Sequence, residues 1–163
     1  MTAPDTPLVQ ALRNSPLAPE LTPDQLTALA AVMRLETLSA RSVLEAEGSV
    51  DNRLVVVVDG SLGVIKGMGS ADEAVLNTLR AGDFAHELGF LDGAARYASL
   101  VATTDARVLT LEREALESLL DSHPRVVYRV MCAIVRKVHG IQSRQSLQAS
   151  ELTNYIVKQH GRY

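Results

Sequence analysis

The sequence predicts an α+β fold in which an antiparallel β-sandwich or jelly roll is flanked by helices, and three observations predict it. Between residues 35 and 111 the apolar side chains fall in short runs separated by turn-forming residues, the spacing of strands in an antiparallel sandwich. Ahead of that segment, Thr22-Pro23-Asp24-Gln25 supplies a capping hydroxyl, a proline at the first helical position, an acid, and a glutamine at the third. Behind it, Pro124 opens a stretch whose apolar residues recur by four and three. At 163 residues, with 47% hydrophobic and 21% charged side chains, the chain has the size and composition of one domain with a single core.

In chain order, residues 1–6 are short, polar and proline-containing, which predicts a flexible end. A brief helix is expected at 7–14, then a connector at 15–20 marked by Pro16 and Pro19. The helix capped by Thr22 carries a stripe of Leu26, Leu29, Ala30 and Met33. Candidate strands follow at 35–38, 43–45, 53–58, 62–65, 74–79, 97–102 and 106–111. The breaks between them hold Glu47-Gly48-Ser49, Asp59-Gly60, Gly67-Met68-Gly69 and Ala81-Gly82-Asp83, each with a glycine where the chain must turn. A helix at 112–121 presents Leu116, Leu119 and Leu120, and the longer one from Pro124 presents Val127, Met131, Ile134, Val138 and Ile141 as a heptad seam. That seam fits a homodimer interface or a helix packed on its own sandwich. Beyond Leu147 the chain is polar, and residues 148–163 are read as a C-terminal extension.

Sixteen basic residues against nineteen acidic ones leave a net charge of −3, which argues against a dedicated nucleic-acid binder. The balance is uneven, because seven of the basic residues and only one acid, Glu151, lie from Ser122 onward. A basic C-terminal segment is expected to complement an acidic body. Cys132 is the only cysteine, so an intramolecular disulfide is excluded and a reducing cytoplasm is the expected location. The longest aliphatic run, 54–58, is far too short to insert into a membrane. Enzyme signatures are absent: Gly67-Met68-Gly69 lacks the third glycine of a dinucleotide loop, no Gly-x-Ser-x-Gly occurs, and His86, His123, His139 and His160 share no metal-ligand spacing.

The informative stretch runs from Gly82-Asp83-Phe84-Ala85-His86-Glu87-Leu88-Gly89 through Phe90-Leu91-Asp92-Gly93 to Ala94-Ala95-Arg96-Tyr97-Ala98-Ser99. It predicts a strand end, one helical turn from Glu87, a small-residue turn and an arginine at the start of an apolar strand. Free amides at the start of a helical turn attract an anion, and an arginine adds a planar, permanent charge. Glu87 can accept a hydrogen bond from a sugar hydroxyl, so phosphate and ribose together suggest a nucleotide.

At these residues the sequence resembles the cyclic-nucleotide-binding domain family, which includes the catabolite-activator-type regulators and the regulatory subunits of protein kinase A. Gly82, Asp83, Glu87, Leu88, Leu91, Arg96, Ala98 and Ser99 match the family's phosphate-binding cassette, with a kinase-type interval from Glu87 to Arg96. Gly48, Gly60 and Gly82 fall where its structural glycines fall. The resemblance implies a domain at 7–147: N-terminal helices at 7–34 forming a bundle, an eight-stranded antiparallel jelly roll (double-stranded β-helix) at 35–111, and C-terminal helices at 112–147, the last a lid. It further implies that Arg96 holds the cyclic phosphate, with the amides of Leu88, Gly89, Ala98 and Ser99 completing the cradle. Glu87 takes the ribose, Val64 and Leu76 line the sugar and base, and Lys137, Ile141 and Gln142 reach over from the lid. His86 stands where the family has glycine; a side chain there is expected to crowd or tune the ligand. Tyr97 replaces the small hydroxyl that favours guanine, which leaves cAMP ahead of cGMP.

The reading is thus a non-enzymic cAMP receptor module without cofactor or metal. It would signal by lid movement to an unidentified downstream protein or within a homodimer. Some sixteen residues after Leu147 are too few for a helix-turn-helix, so no direct sequence-specific DNA binding is expected. The alternative is a degenerate scaffold serving protein–protein contact or another anionic ligand such as a cyclic dinucleotide.

Overall fold

A computed structural model of the chain describes residues 5–160, with the side chains of 155 and 157–160 left aside. The expected flexible end at 1–6 and the last three residues of the extension therefore fall largely outside the described residues. Two helices come first, α1 (Pro7–Arg13), capped by the Thr6 hydroxyl, and α2 (Pro23–Ala30). The Thr22–Gln25 capping box forms as its residue types predict, with both side chains bonded to the opposite backbone amide. Eight strands follow: β1 (Met33–Leu38), β2 (Val43–Glu45), β3 (Arg53–Asp59), β4 (Ser61–Lys66), β5 (Ala74–Arg80), β6 (Phe84–Ala85), β7 (Ser99–Ala102) and β8 (Ala106–Glu112). The short α3 (Glu87–Asp92) lies between β6 and β7, and α4 (Arg113–Glu117) and α5 (Pro124–His160) close the chain.

The strands form two four-stranded antiparallel sheets, ordered β1-β8-β3-β6 and β2-β7-β4-β5. Strand β3 shows why its run is apolar without alternation. Leu54 and Val56 face the helices, in a cluster with Leu12, Leu29, Phe90 and Ile134, while Val55 and Val57 face the second sheet with Leu62, Leu100 and Val108. Successive side chains point to opposite faces, and here both faces are covered. Gly60 lets β3 turn into β4: at φ +75° a Cβ there would run into the Asp105 carbonyl and Ala106.

Four expectations are corrected. Met33 is not on the α2 stripe; α2 ends at Ala30, and Met33 opens β1, pairs with Leu111 and reaches the same core from the sheet. Strand β6 went unread because two residues leave no periodicity to detect, yet it pairs Phe84 with Val56 and Ala85 with Val55. Strand β7 begins at Ser99 and not at 97, because the amide and carbonyl of Arg96 are bonded to Ser49 and Gly48 of the preceding turn at 2.9 and 2.8 Å. Finally, α5 continues without a break to His160, and its buried face is Val126, Val130, Ala133 and Ile134. Val127 and Val138 only flank that face. The stripe is spent on α1, α2 and the first sheet, and Glu20 of the connector between α1 and α2 adds ion pairs with Arg129 and Arg136.

Candidate functional site

Where β6 runs into α3, the chain opens a cleft of about 770 Å³, a size suited to a small-molecule ligand. The floor is β6, α3 and the loop from Asp92 to Ala98; one wall is β4 and β5, and the far wall is α5. At the deep end stands Arg96, only 4% exposed. Its Nε and Nη2 donate to the two Asp51 oxygens at 3.2 and 2.9 Å, and Nη2 also reaches the Arg53 carbonyl at 3.3 Å. Glu45 lies 3.6 Å from Nε and is itself held by Arg53, whose Nη1 donates to Glu36 at 2.9 Å. Among the described residues Nη1 of Arg96 takes part in none of these bonds, which leaves one edge of the guanidinium unbonded, and Arg96 is among the residues that line the cleft. A cation fixed on one side by carboxylates and open on the other can accept an anion without reorganising.

Glu87 and Gly89, in the first turn of α3, line the same cleft as this arginine. Burial pushes the Glu87 carboxyl above the ordinary range, opposed by its own backbone amide and by Lys137. His86 caps α3 in left-handed geometry, φ +63°. Its ring lies against Gly89 so closely that a Cβ at Gly89 would fall inside it.

Of the other residues singled out from sequence, Val64, Leu76, Leu88, Tyr97, Ala98 and Ile141 also line the cleft. Leu76, Leu88 and Tyr97 are more than half exposed and form an apolar rim. Three lie elsewhere. Ser99 is buried with its hydroxyl accepting from the Glu47 amide at 2.9 Å, which ties β7 to the turn after β2. Lys137 donates to the Gly82 carbonyl at 2.9 Å and to Asp83 at 3.2 Å, and its ammonium sits 5.8 Å from the Phe84 ring centre. It fastens α5 to the β5–β6 turn and is not a wall of the cleft. All three glutamines of this stretch are exposed, but Gln145 and Gln148 lie along the cleft and Gln142 does not.

Sequence reasoning missed Asp51, Asn77, Gln145 and Gln148. Helical spacing could have found the last two, since i+4 and i+7 from Ile141 share its face and i+1 does not. Asn77 lies opposite Val64 across the β4–β5 pair, next to a bulge that puts Leu76 and Asn77 on the cleft together. Asp51 sits 45 residues before Arg96, and no local pattern joins the two. Among the described residues no cluster of three or more His, Cys, Asp or Glu could hold a metal ion, and no helix is long and apolar enough to cross a membrane.

Comparison with known proteins gives a consistent result. Residues 35–123 match the family model described as the cyclic nucleotide-binding domain. The chain is 32% identical over 137 residues to a cAMP-dependent protein kinase regulatory subunit from Colletotrichum orbiculare, covering 84% of this chain and 34% of that one. It is 26% identical over 140 residues to the cGMP-dependent protein kinase, isozyme 1, of Drosophila melanogaster, covering 84% of this chain and 17% of the other. The chain thus spans about a third or less of the length of these curated relatives. Among solved structures, a cyclic nucleotide-binding domain from Methylobacillus flagellatus superposes with a TM-score of 0.73 at 22% identity, over 87% of this chain and 79% of that one.

Proposed function

The chain belongs to the cyclic nucleotide-binding domain family, and from that premise we propose that it is a cAMP receptor module that signals through α5. The observation that carries the reading is the free edge of Arg96, clamped by Asp51 and opening on a cleft that also holds Glu87. In this reading the cyclic phosphate lies on Arg96 Nη1 and the Gly89 amide, and Glu87 accepts from the ribose 2′-hydroxyl. The base stacks on the apolar rim and meets Gln145 and Gln148 of the lid helix. A carboxamide can accept from the adenine amine and donate to the neighbouring ring nitrogen, and Tyr97 stands where a small hydroxyl would accept from the guanine amine, so cAMP is favoured over cGMP severalfold, the worth of one hydrogen bond at ~0.5–1.5 kcal/mol. Lys137 bonded to Gly82 and Asp83 makes the position of α5 sensitive to the cassette. Movement there would pass to a downstream protein or to the second subunit of a homodimer, in a cytoplasmic and non-enzymic role.

Competitive titration of cAMP and cGMP against a fluorescent analogue tests the reading. Binding of cAMP that weakens several- to tenfold on Gln145→Ala with Gln148→Ala, but is kept on Gln142→Ala, is expected. A firm cGMP preference contradicts the base assignment. A second reading, a scaffold that has given up cyclic mononucleotides for another anion, draws on His86 in the place of glycine.

A further inference from the structure

His86 adopts φ +63° and ψ 28°, a conformation that costs an L-residue about 1–2 kcal/mol and that glycine takes freely. The side chain is not turned out to water. It folds back over the first turn of α3 into the niche that Gly89 leaves, and it forms part of the cleft wall. Its Nε2 is sealed from solvent and has no hydrogen-bond partner. An unpaired buried nitrogen and a left-handed backbone are both unfavourable, so the placement is not one that packing alone selects.

The charged groups around the ring come from three elements: Arg96 from the loop before β7, Asp51 from the loop before β3, and Asp92 from the end of α3. Glu87, next in the chain, has Lys137 and Asp83 as its own charged neighbours. His86 therefore stands beside the same Arg96–Asp51 pair that presents the free guanidinium edge to the cleft.

From this geometry we infer that His86 is a proton-coupled anion sensor: an anionic ligand seated on Arg96 draws a proton from solvent onto the imidazole, and binding is thereby linked to acidification. The inference rests on the reading of the cleft as a cyclic-nucleotide site. In the free protein, burial first and Arg96 second hold the ring below the ordinary histidine range, with Asp51 and Asp92 opposing. A phosphate on Arg96 offsets the arginine's charge and places a negative charge near the ring, and both changes favour imidazolium. The sign follows from linkage. With the bound-state pKa above the free-state one, affinity rises as pH falls through the interval between them and levels off below it. A neutral nucleoside, which brings no charge to Arg96, draws no proton.

Calorimetry of the full chain with cAMP at pH 7.5, 6.5 and 5.5, in buffers of different ionisation heat, reads the coupling directly. Wild type is expected to take up a fraction of a proton and to bind more tightly at pH 5.5, by up to about tenfold for each unit by which the ligand raises the imidazole pKa. His86→Asn tolerates the left-handed backbone and does not titrate in this range, so it keeps only the shallow dependence due to Glu87. An NMR titration of the His86 ring, free and saturated with cAMP, should show its pKa rising on binding. Equal proton uptake in wild type and His86→Asn overturns the inference and leaves the receptor reading standing. No binding heat from either protein at any pH overturns both.

Discussion

At the scale of single residues, Arg96 has two kinds of neighbour, and they set different consequences for the same substitution. Arg96→Ala removes the anion contact, worth ~1.5–3 kcal/mol for a charge-assisted bond, so affinity should fall at least tenfold. It also removes the partner of the half-buried Asp51 carboxylate and leaves Glu45 to Arg53 alone, a loss of about 1–3 kcal/mol of stability. Arg96→Ala should therefore melt well below wild type, and Arg96→Lys, which keeps the charge but not the fork, should bind poorly while melting closer to wild type. Calorimetric titration and thermal melting of both variants separate the two effects. His86 gives a pH prediction of known sign: its folded-state pKa lies below the unfolded value, so the unfolded chain binds more protons and stability falls as pH drops below about 6.5. In His86→Asn that part of the acid sensitivity of the melting temperature should disappear. Arg96 and Glu87 were legible because a cassette of fixed spacing carries them. Asp51 was not, because its role exists only after β3 and the loop before β7 are brought together.

Among the elements, α5 is the one whose faces do different work. Val126, Val130 and Ile134 are fully buried on the body of the molecule, Lys137 pins the β5–β6 turn, and Ile141, Gln145 and Gln148 face the cleft. Ile134→Ala should cost ~2–5 kcal/mol, measured by denaturant unfolding. Val135→Ala, at a side chain 61% exposed, should stay within about 0.5 kcal/mol. A comparable loss at both would contradict the assigned face. The periodicity of α5 was readable, but its phase was not: Val127, Met131, Ile134, Val138 and Ile141 satisfy a heptad, whereas the chain centres its buried face on Val126, Val130, Ala133 and Ile134, with Val127 and Val138 at its edge. A four-three alternation fixes the period of a helix, and its partner fixes which of two adjacent stripes goes inside. Strand β6 escaped for the opposite reason, since its two residues are defined by pairing with β3 alone.

For the whole molecule, the charge asymmetry of the sequence is realised as contacts between the basic helix and the acidic body. Arg129 and Arg136 meet Glu20, and Lys137 meets Asp83. These join the connector between the N-terminal helices, the β5–β6 turn and α5, a helix of 37 residues, into one unit. If that helix also forms a homodimer, light scattering at micromolar protein should give twice the monomer mass, and a monomer with and without nucleotide would refute it. The antiparallel sandwich was legible from strand spacing and glycine-bearing turns. Which strands share a sheet, and the two separate cores on either face of β3, were not, because order within a sheet is not written in the strands. The central claim, that the cleft is a receptor site for a cyclic mononucleotide, is tested most directly by thermal melting with cAMP, cGMP and cyclic di-GMP in parallel. A ligand at a hundred times its Kd adds ~2.7 kcal/mol, a shift of roughly 5–10 °C for a chain of this size. The account predicts that shift with cAMP, a smaller one with cGMP at equal concentration, and none with the cyclic dinucleotide. No shift with either mononucleotide, or a shift with the dinucleotide alone, would contradict it.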